Sequence, residues 1–146
     1  MYEYLYLNGP ANKPYSFQLQ PDLVSICLGT NDLSAGDGIK ERLPFNLAVF
    51  VSNYVAFVKT VRGHYPNAQI LLLSSPTVQG ENHKILVECL KEIKNILQPD
   101  IEVDLFDLEP FTASGCTGHP SIEDHQRIAE ALIPTFESML ADTRAQ

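Results

Sequence analysis

The sequence lacks tryptophan, has only three cysteines, and is poorer in basic than in acidic residues. Three cysteines do not make a disulfide framework, so they leave the redox compartment open. Ten Lys and Arg against 18 Asp and Glu give a formal net charge of −8, which argues against nucleic acid or an anionic membrane as a partner. No apolar run is long enough for a transmembrane helix, and the first residues lack a signal-peptide pattern, so the cellular location stays unassigned.

The composition that remains is ordinary for a globular protein, with 45% of the 146 residues hydrophobic and 19% charged. A chain of this length fits one domain with a sizeable core. Residues 1–21 are aromatic and then rich in Pro and Asn, which predicts an irregular lead-in with a short extended piece at residues 4–7. We therefore expect residues 22–146 to form the folded unit.

Three apolar stretches have the length and composition of buried strands, at residues 22–28, 69–74 and 101–108. Amphipathic stretches follow them and predict helices that begin at Pro44, near Asn82 and after Ser121. This alternation predicts an α/β fold, in which helices cover both faces of a parallel sheet. One of the first two strands must then be an edge, and an exposed apolar edge favours a homo-oligomer.

Several residues are expected to begin, end or bend these helices. Pro44 suits a first-turn position and Gly63 a C-terminal cap. Asp124 lies three residues after Ser121, which resembles a capping box with Asp in place of Glu. Pro134 falls inside the last apolar pattern and predicts a kink or a break just before it.

The cysteines and one of the histidines have structural interpretations. Cys27 lies in a predicted strand and Cys89 on an apolar helix face, so both are expected in the core. His83 starts a predicted helix and is expected to be exposed. Cys116 with His119 resembles half of a metal site, but no second pair has ligand spacing, so neither a metal nor another cofactor is predicted.

Two polar clusters follow the first and third predicted strands. They are Gly29-Thr30-Asn31-Asp32 and Ser114-Gly115-Cys116-Thr117-Gly118-His119-Pro120-Ser121. Because ligands bind beyond the carboxyl ends of parallel strands, both clusters are expected at one edge of the sheet. An amide donor from Asn31 and a titratable imidazole from His119 would meet there, which is what ester cleavage needs.

These clusters resemble sequence blocks of the SGNH (GDSL-type) hydrolases, most of all the acetylxylan esterases of carbohydrate esterase family 2. Gly29 to Asp32 matches the block Gly-x-Asn-Asp, and Gly115 to Ser121 matches the last block, Gly-Cys-x-x-His-Pro-Ser. The resemblance covers about residues 20–141. It implies a three-layer α/β/α, flavodoxin-like fold and deacetylation of a carbohydrate or another small ester.

The same resemblance implies roles for individual residues. Asn31 would donate a hydrogen bond to the oxyanion of a tetrahedral intermediate, and His119 would be the general base that activates a serine. Gly29, Thr30 and Asp32 would form the oxyanion or substrate edge around Asn31.

Parts of the family pattern are missing from the sequence. No Gly-Asp-Ser occurs, so the nucleophile is absent, and the chain is expected to be the C-terminal portion of the domain, truncated at the N-terminus and inactive alone. The acid that orients the histidine would fall at Cys116 or Thr117, neither of which is a carboxylate. The expected mechanism is therefore a Ser-His dyad in which a backbone carbonyl orients His119.

Two other functions stay open at this point. The chain could be a non-catalytic glycan-binding or interaction module on the same scaffold, because the nucleophile and the orienting acid are missing. A flavodoxin- or receiver-like domain that binds flavin or phosphate is the third possibility, but the sequence has no Gly-rich phosphate loop and no acidic cluster after the first strand.

Overall fold

The computed structural model describes residues 2–5, 13–36, 39 and 43–144. Its elements in chain order are β1 (Leu23–Ile26), α1 (Leu47–His64), β2 (Gln69–Leu73), α2 (Gly80–Leu97), β3 (Asp104–Phe106), a 3₁₀ turn (Cys116–Gly118) and α3 (Ile122–Arg144). This order confirms the predicted α/β class. Each strand is shorter than its apolar stretch, because the flanking residues continue the chain direction without pairing.

The three strands form one parallel sheet in the order β1-β2-β3. Val24 pairs with Ile70, and Leu72 pairs with Leu105. β2 is the central strand, and four of its five residues are buried. β1 is an edge of the described sheet, as predicted, and Leu28 just beyond it is 45% exposed. Pairing of this edge with a second copy of the chain stays a prediction.

Two apolar cores lie on opposite faces of the sheet, because successive residues of β2 point to opposite sides. Ile70 and Leu72 belong to the larger core with α1 and α2, where Leu86 is fully buried. Leu71 and Leu73 belong to the smaller core, whose α3 residues are Leu132 and Met139. The predicted three-layer arrangement is therefore confirmed.

Two predictions about α1 were wrong. Asn46 is its N-cap and accepts a hydrogen bond from Val49 N at 3.1 Å, so Pro44 lies before the helix and not in its first turn. The asparagine side chain can satisfy a free helical N–H, which a proline cannot. Gly63 lies inside the helix without a positive φ, and Tyr65 is the C-cap.

The other two helices also differ from their predicted bounds. α2 begins at Gly80, two residues before the expected start. α3 continues through Pro134, so the predicted break does not occur. Leu132 and Met139 are buried in the same core on either side of this proline, and their packing holds the helix together across it. Of the helices that the structure describes, none combines the length and the apolar character that crossing a membrane requires.

The cysteine predictions divide. Cys89 is fully buried, as predicted, and Cys116 is exposed in a loop. Cys27 is exposed, so its assignment to the core was wrong. The reason is that β1 ends at Ile26 and lies at the edge of the sheet, which leaves Cys27 with neighbours on one side. Its Sγ lies 3.8 Å from the carbonyl of Ser74 on that side.

The lead-in is fastened to the C-terminal end of α1. Tyr4 forms an isolated antiparallel bridge with Pro14, whereas residues 6 and 7 of the predicted extended piece lie outside the described residues. The ring of Phe17 stacks on His64 at 3.6 Å between centroids. Burial and the neighbouring Tyr65 raise the pKa of Tyr2 to about 12.

Candidate functional site

Asn31 and His119 both lie at the carboxyl edge of the sheet. Asn31 is in the turn that follows β1, and His119 lies between β3 and α3. Both are exposed, and β2 with the loop after it lies between the two strands that carry them. The predicted common edge is therefore present, and the anchors of each residue can be described separately.

The turn that carries Asn31 begins at a glycine that the core demands. Gly29 is buried with a φ of +115°, and a Cβ there would lie 2.6 Å from Leu86 Cδ1 and 3.3 Å from Phe50 Cζ. The N–H of Leu33 donates to the carbonyl of Gly29 at 3.1 Å and closes the turn around Asn31. Close packing beneath Gly29 thus presents Asn31 at the surface of the edge.

Hydroxyl groups tie the same turn to the loop after β2. Thr30 Oγ1 donates to Ser75 Oγ at 2.7 Å, and Ser75 Oγ lies 3.1 Å from Thr77 Oγ1. Ser75 is buried, so this chain of hydroxyls runs into the protein. On the other side, the Tyr54 hydroxyl donates to the carbonyl of Ile26 at 3.2 Å, and burial raises the pKa of Tyr54.

A second polar network joins the ends of β2 and β3, and the sequence analysis missed it. Buried Ser74 donates to Asp107 Oδ1 at 2.7 Å and accepts the N–H of Leu108 at 2.8 Å. His83 Nε2 lies 3.0 Å from the same Asp107 oxygen, and its side chain is 13% exposed. The prediction that His83 is exposed was wrong, because the start of α2 packs against this edge. The available signal was a Ser-Ser pair and an Asp directly after two predicted strands.

His119 is held by a short turn. Gly115 N donates to the carbonyl of His119 at 2.9 Å, and His119 N donates to the carbonyl of Cys116 at 3.1 Å. A Cβ at Gly115 would lie 2.6 Å from the His119 oxygen, so the close approach of the two backbones requires a glycine. Thr117 inside this turn has a φ of +55°, which is the left-handed region.

The imidazole of His119 contacts a hydroxyl in this turn. Thr117 Oγ1 lies 3.1 Å from His119 Nδ1 and donates to the carbonyl of Cys116 at 2.7 Å. The expected partner of His119 was a backbone carbonyl, and that detail was wrong. The left-handed backbone of Thr117 brings its side chain, and not a carbonyl, beside the ring.

A buried carboxylate fixes the loop on either side of His119. Asp124 is fully buried and accepts three hydrogen bonds, from Ser121 N at 2.9 Å, Ser114 N at 2.8 Å and Ser114 Oγ at 2.7 Å. Ser121 Oγ in turn accepts the N–H of Asp124 at 3.2 Å, which confirms the predicted capping box. These hydrogen bonds, first those from Ser121 and Ser114, hold the pKa of Asp124 far below its usual range. Arg127 pairs with the second carboxylate oxygen at 2.6 Å.

The model of the GDSL-like lipase/acylhydrolase family matches residues 8–132 of the chain, and this span contains both polar clusters. The chain belongs to this family. The membership agrees with the resemblance carried by Gly29 to Asp32 and Gly115 to Ser121.

Individual members of the GDSL-like family are similar to this chain over most of its length. An acetylxylan esterase/glucomannan deacetylase of Cellvibrio japonicus is 32% identical over 130 residues, which are 87% of this chain and 36% of the relative. A family two carbohydrate esterase structure from C. japonicus has a TM-score of 0.82 at 23% identity, and covers 96% of this chain and 40% of that one. The family two esterase of Clostridium thermocellum in complex with cellohexaose has a TM-score of 0.77 at 28% identity, with 88% and 39% covered. The chain therefore spans about a third of the length of this curated relative.

An open cavity of about 360 Å³ adjoins the Asn31 turn of the GDSL-like domain. Its lining residues are Asp32, Leu33, Ser34, Ala35, Leu43, Pro44, Phe45 and Asn82. Its size falls within the range of small-ligand pockets. Among the described residues no three His, Cys, Asp or Glu side chains converge in a way that could hold a metal ion.

Proposed function

We propose that the chain supplies the oxyanion donor and the general base of an esterase that removes acetyl groups from carbohydrate. Asn31 is the donor, His119 is the base, and the nucleophilic serine belongs to chain outside the printed sequence. The observation that carries this proposal is the pairing of His119 Nδ1 with Thr117 at the same sheet edge as the Asn31 turn. With Nδ1 occupied, Nε2 is the nitrogen available to a serine.

The proposed reaction has two halves. The serine Oγ attacks the acetyl carbonyl while His119 Nε2 takes its proton, and the amide of Asn31 donates to the oxyanion that forms. The imidazolium returns the proton to the departing sugar hydroxyl, which leaves an acetyl-serine. Water then attacks this ester, His119 again accepts and returns a proton, and acetate is released.

The other residues of the edge have supporting roles in this proposal. Gly29 and Thr30 hold the turn, through the contact of Gly29 with the core and the hydrogen bond from Thr30 to Ser75. Asp32 lines the open cavity and is proposed to face the substrate. Residues 22–146 would be the C-terminal portion of the catalytic domain, with residues 1–21 as its lead-in.

The test uses the longer product read from the coding DNA upstream of Met1, assayed on acetylated xylan and p-nitrophenyl acetate. We expect His119→Gln to abolish turnover and Asn31→Ala to lower kcat by about 10²–10³ with a small effect on KM, because one oxyanion donor is lost. His125→Gln and Asn53→Ala are the matched controls, since both side chains are exposed and lie on helices away from the turn and the loop.

Three results would contradict the proposal. One is esterase activity of the longer product that survives His119→Gln. Another is an upstream sequence that encodes no Gly-Asp-Ser and a product that no fluorophosphonate labels. A third is His119-dependent hydrolysis of p-nitrophenyl acetate by the 146-residue chain alone, which would show that the serine lies within it.

A non-catalytic glycan-binding module is the second candidate, and the partner of His119 favours it. Thr117 is a hydroxyl where a triad would have a carboxylate, so it offers no negative charge to an imidazolium. Binding of cello- or xylo-oligosaccharides by the longer product, without turnover and without fluorophosphonate labelling, would support this function in place of the esterase.

A further inference from the structure

We propose that the Thr117 hydroxyl positions His119 by accepting a hydrogen bond from Nδ1–H, so that it takes the place of the missing orienting acid. This inference rests on the proposed function for its meaning in catalysis. The contact itself is a property of the described chain, with 3.1 Å between Thr117 Oγ1 and His119 Nδ1.

The direction of this hydrogen bond follows from the other partner of the hydroxyl. Thr117 Oγ1 lies 2.7 Å from the carbonyl of Cys116, which can only accept. The single hydroxyl proton is therefore donated to Cys116, and the lone pairs of Oγ1 face His119. Nδ1 must then carry the proton of the neutral imidazole, and Nε2 is left as the basic nitrogen.

The backbone of the turn is shaped for this contact. Thr117 adopts a φ of +55°, which is uncommon for a β-branched residue and costs energy unless the surroundings enforce it. The bonds from Gly115 N to the His119 carbonyl and from His119 N to the Cys116 carbonyl enforce it here. Gly115 allows the close approach, since a Cβ at that position would lie 2.6 Å from the His119 oxygen.

The expected effect on the imidazole is modest, because Thr117 and His119 are both exposed and water competes for their hydrogen bonds. A single neutral hydrogen bond of this kind shifts an equilibrium by about twofold to tenfold. In the longer esterase the contact would select the tautomer that can accept the serine proton. Thr117 is thus a positioning residue, since it acts through His119 and touches no substrate.

The test is an ¹⁵N NMR measurement of the imidazole tautomers in the 146-residue chain, at a pH where His119 is neutral. His119→Gln identifies the signals by their disappearance. We expect the Nδ1–H form to dominate in the unmodified chain and in Thr117→Ser, which keeps the hydroxyl. Thr117→Val should shift the ratio toward Nε2–H by about twofold to tenfold, because the acceptor is lost.

Thr60→Val is the matched control, because Thr60 is exposed on α1 and its hydroxyl donates to the carbonyl of Ala56. It should leave the tautomers of His119 unchanged. A dominant Nε2–H form in the unmodified chain would overturn the inference, and this result does not depend on any variant folding. An unchanged ratio in a folded Thr117→Val chain would overturn it as well.

Kinetics of the longer product separate this inference from the proposed function. There, Thr117→Val should lower kcat with KM unchanged, and Thr117→Ser should restore it. If the longer product has no esterase activity, the proposed function fails, whereas the tautomer measurement still decides whether Thr117 orients His119. A normal tautomer shift with unchanged kcat would overturn the positioning role while leaving the esterase intact.

Discussion

Gly29→Ala is expected to destabilise the fold and displace Asn31 at the same time. Gly29 has a φ of +115°, which lies beyond the left-handed region that an L side chain can reach cheaply. Its missing Cβ also makes room for Leu86 and Phe50, since an added methyl group would lie 2.6 Å from Leu86 Cδ1. Leu86 is fully buried, so its side chain cannot swing into open space.

The two effects can be given magnitudes. Backbone strain of this kind costs about 1–3 kcal/mol, and overpacking of a filled core costs about 1–3 kcal/mol more. Partial rotation of Leu86 relieves some of the second cost, so we expect the free energy of unfolding to fall by about 2–4 kcal/mol. For a chain of this size, that loss lowers Tm by about 5–15 °C.

Gly80→Ala is the matched control for the assay. Gly80 has a φ of +60°, but an added Cβ would meet nothing within 4 Å, so this variant carries backbone strain without crowding. Urea unfolding followed by circular dichroism should place Gly29→Ala below Gly80→Ala by about 1–3 kcal/mol. Equal stability of the two variants would refute the idea that core packing under Gly29 shapes the Asn31 turn.

Two further predictions concern buried polar groups. The pKa of Asp124 is lowered from 3.8 in the folded chain, so the unfolded state binds more protons in acid and the carboxylate stabilises the fold only above that range. Stability should therefore fall from about pH 5 to pH 3, and Asp124→Asn should flatten this slope by up to about one proton per molecule; an unchanged slope in urea titrations would contradict the assignment. Ser74→Ala should cost about 1–3 kcal/mol, because the N–H of Leu108 loses its acceptor. The exposed Ser52→Ala is its control, and equal unfolding midpoints for the two serine variants would count against a structural role for Ser74.

The sequence was sufficient for the fold and for the common edge of the two polar clusters. Continuous apolar strands and amphipathic helices have clear periodicities, and these gave the order of elements and the parallel sheet. The capping box at Ser121 was also predictable, because it is local: a side chain and a backbone group three residues apart satisfy each other. Gly63 and Pro134 show the limit of local rules, since packing of α1 and α3 carried both residues into helices.

Contacts between distant segments could not be predicted in the same way. His83 and Asp107 are far apart in the chain, and only the packing of α2 against the end of β3 makes them an ion pair. The exposure of Cys27 likewise depends on which strand is the edge, which apolar content alone does not decide. The Thr117 contact was missed for another reason. It depends on a left-handed backbone at a threonine, and nothing in the residue type announces that conformation.

The two site residues are anchored by separate sets of contacts. The Asn31 turn depends on Gly29 against the core and on Thr30 against Ser75, whereas the His119 loop depends on Asp124. Because these anchors share no hydrogen-bond partner, a change in one set should disturb one functional group and leave the other in place. The spacing between amide and imidazole is then set by the sheet itself, through β2 and its hydrogen bonds to both neighbouring strands. A serine introduced between them would meet a donor and a base whose positions the fold has already fixed.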